Sequence, residues 1–115
     1  MSLSTHVLDA ALGRPAAGVA VRLESGPGNG AANGAGNEWA VVAEGHTDAD
    51  GRLSGWSPGA GVHRLVFGTG AYFAARGVEA FYPEVSITFT IGDPDEHYHV
   101  PLLLSPFAYS TYRGS

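Results

Sequence analysis

The chain has 115 residues and a net charge of −5, from 6 Lys and Arg against 11 Asp and Glu. With no basic run anywhere, that balance argues against a phosphate-reading surface and so against nucleic acid as a partner. There is no cysteine, which removes disulfides, thiolate chemistry and cysteine zinc sites together, and no apolar run reaches membrane-spanning length.

A chain of this size buries roughly two-thirds of the surface its unfolded form exposes, enough for one core without staples. Residues 1–115 are therefore read as a single domain. The start, MSLSTHVLD, has neither a basic segment nor a long apolar one, so no signal peptide is expected. The last residues are not a peroxisomal signal either. These features suggest a soluble cytoplasmic protein.

Strand signals dominate from the first residues onward. STHVLDA alternates and runs into the breaker stretch LGRPAAG, punctuated by Gly13 and Pro15. VAVRLE alternates again, with Val19, Val21 and Leu23 on one side. The glycine-, alanine- and asparagine-rich stretch over residues 26–37 cannot build a core and is read as a mobile hairpin loop. EWAVVAEGHT is a third strand. TDADGRL carries the turn signal Asp50-Gly51 ahead of a short strand over residues 52–54. GVHRLVFGT is a fifth strand. GAYFAARGV is the one plausible helix, about two turns long, with Gly77 as its C-terminal stop. EVSITFTI alternates cleanly, GDPDE is a turn, HYHVPLLLS a strand, SPF a turn and AYSTYR the last strand. Eight short strands at this spacing with one brief helix read as an all-β antiparallel sandwich.

Four features carry candidate chemistry. In HYH, His97 and His99 stand at i and i+2 and share one face of a strand. Such a pair serves as metal ligands or as an acid/base pair, or it is simply two surface histidines beside a turn. A metal would need further ligands from His6, His46, His63 or a carboxylate. His6 lies in an otherwise apolar strand, and its alternation partners Ser4 and Leu8 do not settle which face it takes. Arg52 follows a tight turn, where most arginines are solvated, but a guanidinium there is able to grip a carbonyl or anion with two parallel bonds. The fourth feature is the end, YSTYRGS. It stops at Ser115 directly after the apolar run VPLLLSPF, and this abrupt stop suggests that the terminus folds into a pocket wall. No phosphate loop and no nucleophile elbow is present.

Four separated stretches occur in the order seen in transthyretin-like proteins: LSTHVLDAALGRPAAGVAV, the TDADGRL turn, FGTGAYFAARG with FYPEVSITF, and HYHVPLLLSPFAYSTYRGS. The chain resembles that family over nearly its whole length, least in the long glycine-rich loop. HYH and the terminal YRGS resemble its hydrolase branch, which acts on 5-hydroxyisourate, and not the thyroid-hormone carriers. The resemblance implies a transthyretin-like antiparallel β-sandwich of two four-stranded sheets with a short helix after the fifth strand. It implies a homotetramer, a dimer of dimers, with sites in a channel between dimers. It also implies hydrolysis of the small molecule 5-hydroxyisourate to 2-oxo-4-hydroxy-4-carboxy-5-ureidoimidazoline, in urate degradation, without metal or other cofactor. Carried over residue by residue, the catalytic positions are His6, Arg52 and His99, and the substrate-binding positions are Tyr112, Arg113, Gly114 and Ser115. In this reading the two histidines move protons, and Arg52 and Arg113 hold ring carbonyls and developing negative charge. Two alternatives remain open at this stage. One is a transthyretin-like binder of small molecules without catalysis, and the other is a zinc hydrolase built on His6, His97 and His99.

Overall fold

The structure, a computed structural model, describes residues 2–28 and 38–114. Most of the expected loop over residues 26–37 thus falls outside the described residues, as does Ser115. The strands are β1 (Ser2–Asp9), β2 (Arg14–Pro15), β3 (Ala20–Ser25), β4 (Ala40–His46), β5 (Arg52–Trp56), β6 (Gly61–Phe67), β7 (Val85–Ile91), β8 (His97–Ser105) and β9 (Ala108–Thr111). One short helix, α1 (Thr69–Ala74), follows β6.

Two sheets face each other. One has the order β4-β3-β6-β7, and the other runs β2-β1-β8-β9 with β5 also on β1. β2 and β5 share one edge of β1: β2 pairs with Leu8 and Asp9, and β5 with Leu3 to His6. The second sheet is therefore four strands wide although it contains five segments. The breaker stretch LGRPAAG holds the extra one, a two-residue strand that folds back on the end of β1. The antiparallel expectation is corrected at one place. β1 and β8 run parallel, in unbroken register from Ser2 opposite His97 to Asp9 opposite Leu104. These strands come from opposite ends of the chain, so no tight turn dictates their direction.

The core follows from alternation. Leu3, Val7, Leu102 and Leu104 of one sheet meet Val21, Leu23, Leu65 and Phe67 of the other, all at most 2% exposed. Each side chain of this kind contributes roughly 1.5–3 kcal/mol by leaving water. Thr5 is buried among them and donates its hydroxyl to the Val100 carbonyl at 2.6 Å, so its polarity is satisfied. The helix is too short to stand on propensity. It is held by buried Tyr72 and Phe73 and by the Tyr72 hydroxyl, which donates to Asp9 Oδ2 at 2.8 Å. Burial and the adjacent Asp9 carboxylate push the Tyr72 hydroxyl up to about 12. Asp9 Oδ1 accepts from the backbone of Ala11 and Leu12, turning the chain out of β1. Gly77 stops the helix at φ 71°, as its position suggested.

Candidate active site

The parallel pairing of β1 and β8 decides which side chains share the outer face of the second sheet. Leu3, Thr5, Val7 and Asp9 point inward, so Ser2, Ser4, His6 and Leu8 point outward. On β8, Tyr98, Val100 and Leu102 are buried, which leaves His97 and His99 on the same outer face. Ser4 lies opposite His99, and His6 lies one pleat further along, opposite Pro101. On the other side of β1, Arg52 is paired with His6. Three imidazoles, one guanidinium and two hydroxyls therefore converge on one open face.

The turn before β5 places two of these groups. Asp48 Oδ1 accepts from the backbone N–H groups of Asp50 and Arg52 at 2.8 and 2.9 Å, and these bonds hold its carboxyl below the usual range. Gly51 takes φ 75°, and its carbonyl accepts from the Val7 N–H at 2.7 Å, which docks the turn on β1. An added Cβ at Gly51 would overlap the Val7 carbonyl oxygen, so the motif needs glycine for space as well as for conformation. Docked this way, the Asp50 carbonyl meets His6 Nε2 at 2.9 Å. A carbonyl only accepts, so His6 Nε2 carries the hydrogen and neutral His6 holds its lone pair on Nδ1.

His99 is half-buried. Burial, and then the positive charge of His6, His97 and Arg52 nearby, hold its imidazole below the ordinary histidine range. Its Nδ1 lies 2.8 Å from Ser4 Oγ. The chain end returns over this ring: the Gly114 N–H donates to the His99 carbonyl at 2.8 Å.

Arg113 and Tyr112 make their contacts elsewhere. Arg113 reaches Glu96 at 3.3 Å and lies over the Tyr98 ring, 4.7 Å from its centroid. Tyr112 is 61% exposed. With Tyr98, Val100, Ile87 and Phe89, these two line an apolar cleft of about 340 Å³ at the edge of the sandwich. The cleft touches His99 but not His6 or Arg52. The convergent polar groups stand on the open sheet face, so the face and not the cleft is the candidate site. The structure thus brings together His6, Arg52, His99 and Gly114, while Tyr112 and Arg113 share a cleft wall with His99 but not with His6 or Arg52. Ser115 lies outside the described residues. Ser2 and Ser4 escaped the sequence reading. The period-two alternation through His6 could have found Ser4, but nothing local shows that β8 is its neighbour.

His97 takes Ser2 Oγ on Nδ1 at 2.6 Å and Ser4 Oγ on Nε2 at 3.1 Å, so both its ring nitrogens are engaged. Among the described residues, no group of three or more His, Asp or Glu is arranged to hold a metal ion. Among them, too, no helix is long and apolar enough to cross a membrane.

A two-sheet sandwich with a short helix after β6, carrying an imidazole–guanidinium cluster on one outer face, defines a transthyretin-like fold with a polar site. The HIUase/Transthyretin family model matches residues 3–114, and the chain belongs to that family. It is 45% identical to a 5-hydroxyisourate hydrolase of Salmonella dublin, over 98% of this chain and 80% of the relative. The solved structure of Klebsiella pneumoniae 5-hydroxyisourate hydrolase superposes with a TM-score of 0.81 at 40% identity, covering 100% of both chains. Sea bream transthyretin in complex with thyroxine gives 0.82 at 33% identity, covering 97% of this chain and 93% of that one.

Proposed function

We propose that the protein hydrolyses 5-hydroxyisourate, adding water to a ring carbonyl and opening the ring. The observation that carries this reading is the convergence of His6, His99 and Arg52 on one face, in a chain 45% identical to a 5-hydroxyisourate hydrolase over 98% of its length. The reaction needs a water to lose a proton, a carbonyl oxygen to be stabilised as an oxyanion, and a ring nitrogen to gain a proton. Neutral histidines near pH 7 suit both proton steps, which contribute roughly 10² to 10⁴ in rate. Arg52 supplies the fixed positive charge for the oxyanion, commonly the largest share of such catalysis. His6 offers Nδ1 to the substrate or water because its Nε2 is committed to Asp50. The chemistry runs without a metal.

In the assembly we propose, two dimers pair across the open face, as a homotetramer with substrate in the channel between them. The exposed aromatics Phe81 (71%) and Phe107 (65%) near β9 support burial against another copy. Tyr112, Arg113, Gly114 and Ser115 then bind substrate, Tyr112 and Arg113 by leaving their edge cleft on assembly or by reaching a neighbouring copy's face. The whole chain acts as one domain. A chain without cysteine also suits a reducing cytoplasm.

The similarity to a thyroxine-bound transthyretin favours a second reading, a small-molecule binder without catalysis. Against it, imidazoles and a guanidinium are costly to desolvate around an apolar ligand. One assay separates the two. 5-Hydroxyisourate is generated in situ with urate oxidase and its ultraviolet absorbance followed with and without EDTA. Decay faster than the spontaneous rate, unchanged by EDTA, supports the metal-free hydrolase. Decay at the spontaneous rate overturns it and leaves the binder. Acceleration abolished by EDTA overturns the metal-free chemistry.

A further inference from the structure

We propose that Ser4 and His97 form a proton relay behind His99 and act as positioning residues for the hydrolysis proposed above. This rests on that reading for its chemistry but not for its geometry. Four groups form an unbroken chain: Ser2 Oγ to His97 Nδ1 at 2.6 Å, His97 Nε2 to Ser4 Oγ at 3.1 Å, and Ser4 Oγ to His99 Nδ1 at 2.8 Å. It exists because the parallel register sets Ser2 opposite His97 and Ser4 opposite His99.

A serine hydroxyl has one hydrogen and so donates to one partner only. Ser4 bridges two imidazole nitrogens, so at most one ring accepts from it and at least one must present an N–H to it. The tautomers of His97 and His99 are thereby coupled: the state with both lone pairs facing Ser4 is excluded. When His99 Nε2 holds the lone pair, His99 Nδ1–H donates to Ser4, Ser4 donates to His97 Nε2, and His97 Nδ1–H donates to Ser2. Every hydrogen in the chain then points the same way, outward from the site.

The proton balance follows from this orientation. His99 Nε2 takes a proton from the attacking water. His99 Nδ1 releases its own to Ser4 Oγ, and Ser4 passes its original proton to His97 Nε2. Only N–H and O–H bonds form and break. His99 ends neutral with a hydrogen on Nε2, ready for the leaving ring nitrogen, and His97 carries the positive charge. That placement is favourable because His99 is half-buried and faces His6 from β1, Arg52 from β5 and His97 on its own strand, all unfavourable neighbours for a cation. Glu96, the residue before β8, is paired with Arg113 at 3.3 Å. When His99 Nε2–H then protonates the leaving ring nitrogen, the relay runs back: His97 Nε2–H returns a proton to Ser4 Oγ, and Ser4 passes its own to His99 Nδ1, which restores the starting tautomers.

Ser4→Ala, Ser4→Thr and His97→Gln would be compared with the wild type by kcat, KM and imidazole-buffer dependence, and by ¹⁵N NMR of the His99 ring without substrate. His97→Gln should lose kcat by about tenfold in dilute buffer at unchanged KM and regain it as imidazole is added. Ser4→Ala should show a similar loss, with Ser4→Thr restoring most of it. The ¹⁵N spectrum should show His99 protonated on Nδ1 in the wild type and a tautomer mixture in Ser4→Ala. Unchanged kcat in both variants would overturn the relay, as would losses that neither imidazole nor threonine relieves. If the wild type itself fails to hydrolyse 5-hydroxyisourate, the functional reading falls, and the tautomer measurement still decides whether Ser4 ties the two rings.

Discussion

Gly114 donates its backbone N–H to the His99 carbonyl at 2.8 Å, and its Cα lies against the His99 ring. This bridge continues the antiparallel register in which Thr111 pairs with Leu102, after a gap at Val100 and Pro101. Proline has no N–H to give, and the Pro101 carbonyl is taken by the Thr111 hydroxyl at 2.6 Å. The ladder therefore opens at residues 112 and 113 and closes again on His99, which packs the terminal segment against a candidate catalytic ring.

A Cβ at Gly114 would overlap His99 Cδ2. Gly114→Ala should therefore turn the imidazole and lower kcat by about tenfold or more, since small misplacements of a reacting group are expensive. Its melting temperature should stay near the wild type's, because Gly114 is outside the core. Wild-type kcat would show that the ring position does not matter.

Deleting residues 112–115 removes that cover and the strands' last bridge, while the buried core stays intact. The truncated chain should fold with an unchanged circular dichroism spectrum and lose at least about tenfold in activity. Full turnover by it would remove the terminus from the site.

The pH dependence has a definite sign. His99 titrates below the ordinary histidine value because of burial and then its positive neighbours, so it is a neutral base at pH 7. The acid limb of kcat/KM should lie below about 6.5, and Arg52→Ala should shift it upward by removing one of those charges, besides lowering kcat. Linkage acts in the same sense on stability. The contribution of neutral His99 is complete above about 6.5 and is lost as pH falls through its lowered folded value. An acid limb that stays fixed in Arg52→Ala would contradict the electrostatic coupling.

At the Asp48–Arg52 turn, Gly51→Ala meets both a positive φ and the Val7 carbonyl. The expected loss is about 2 kcal/mol or more of stability in urea unfolding, with a further fall in activity as Arg52 and the Asp50 carbonyl shift. A neutral substitution would mean that the turn does not dock as described.

Much of this was legible in the chain. Alternation in Val85, Ile87, Phe89 and Ile91 gives β7 and its inward face, and Asp50-Gly51 gives the turn that sets Arg52. The face of His6 was not legible, because Ser4 and Leu8 are compatible with either side and only tertiary pairing decides. The parallel β1–β8 register is likewise invisible, since two strands about 95 residues apart leave no local trace of their pairing. With it went the serine–histidine chain. The direction of Arg113 is set by Glu96 and the Tyr98 ring, contacts that the motif YRGS does not encode.

The most direct test follows the ultraviolet decay of enzymatically generated 5-hydroxyisourate with wild type, His6→Ala and His99→Ala at matched concentrations. The wild type should accelerate decay well above the spontaneous rate, and each variant should lose about 10² or more in kcat while remaining folded. Equal acceleration by all three proteins would contradict the assignment of catalysis to the imidazole face.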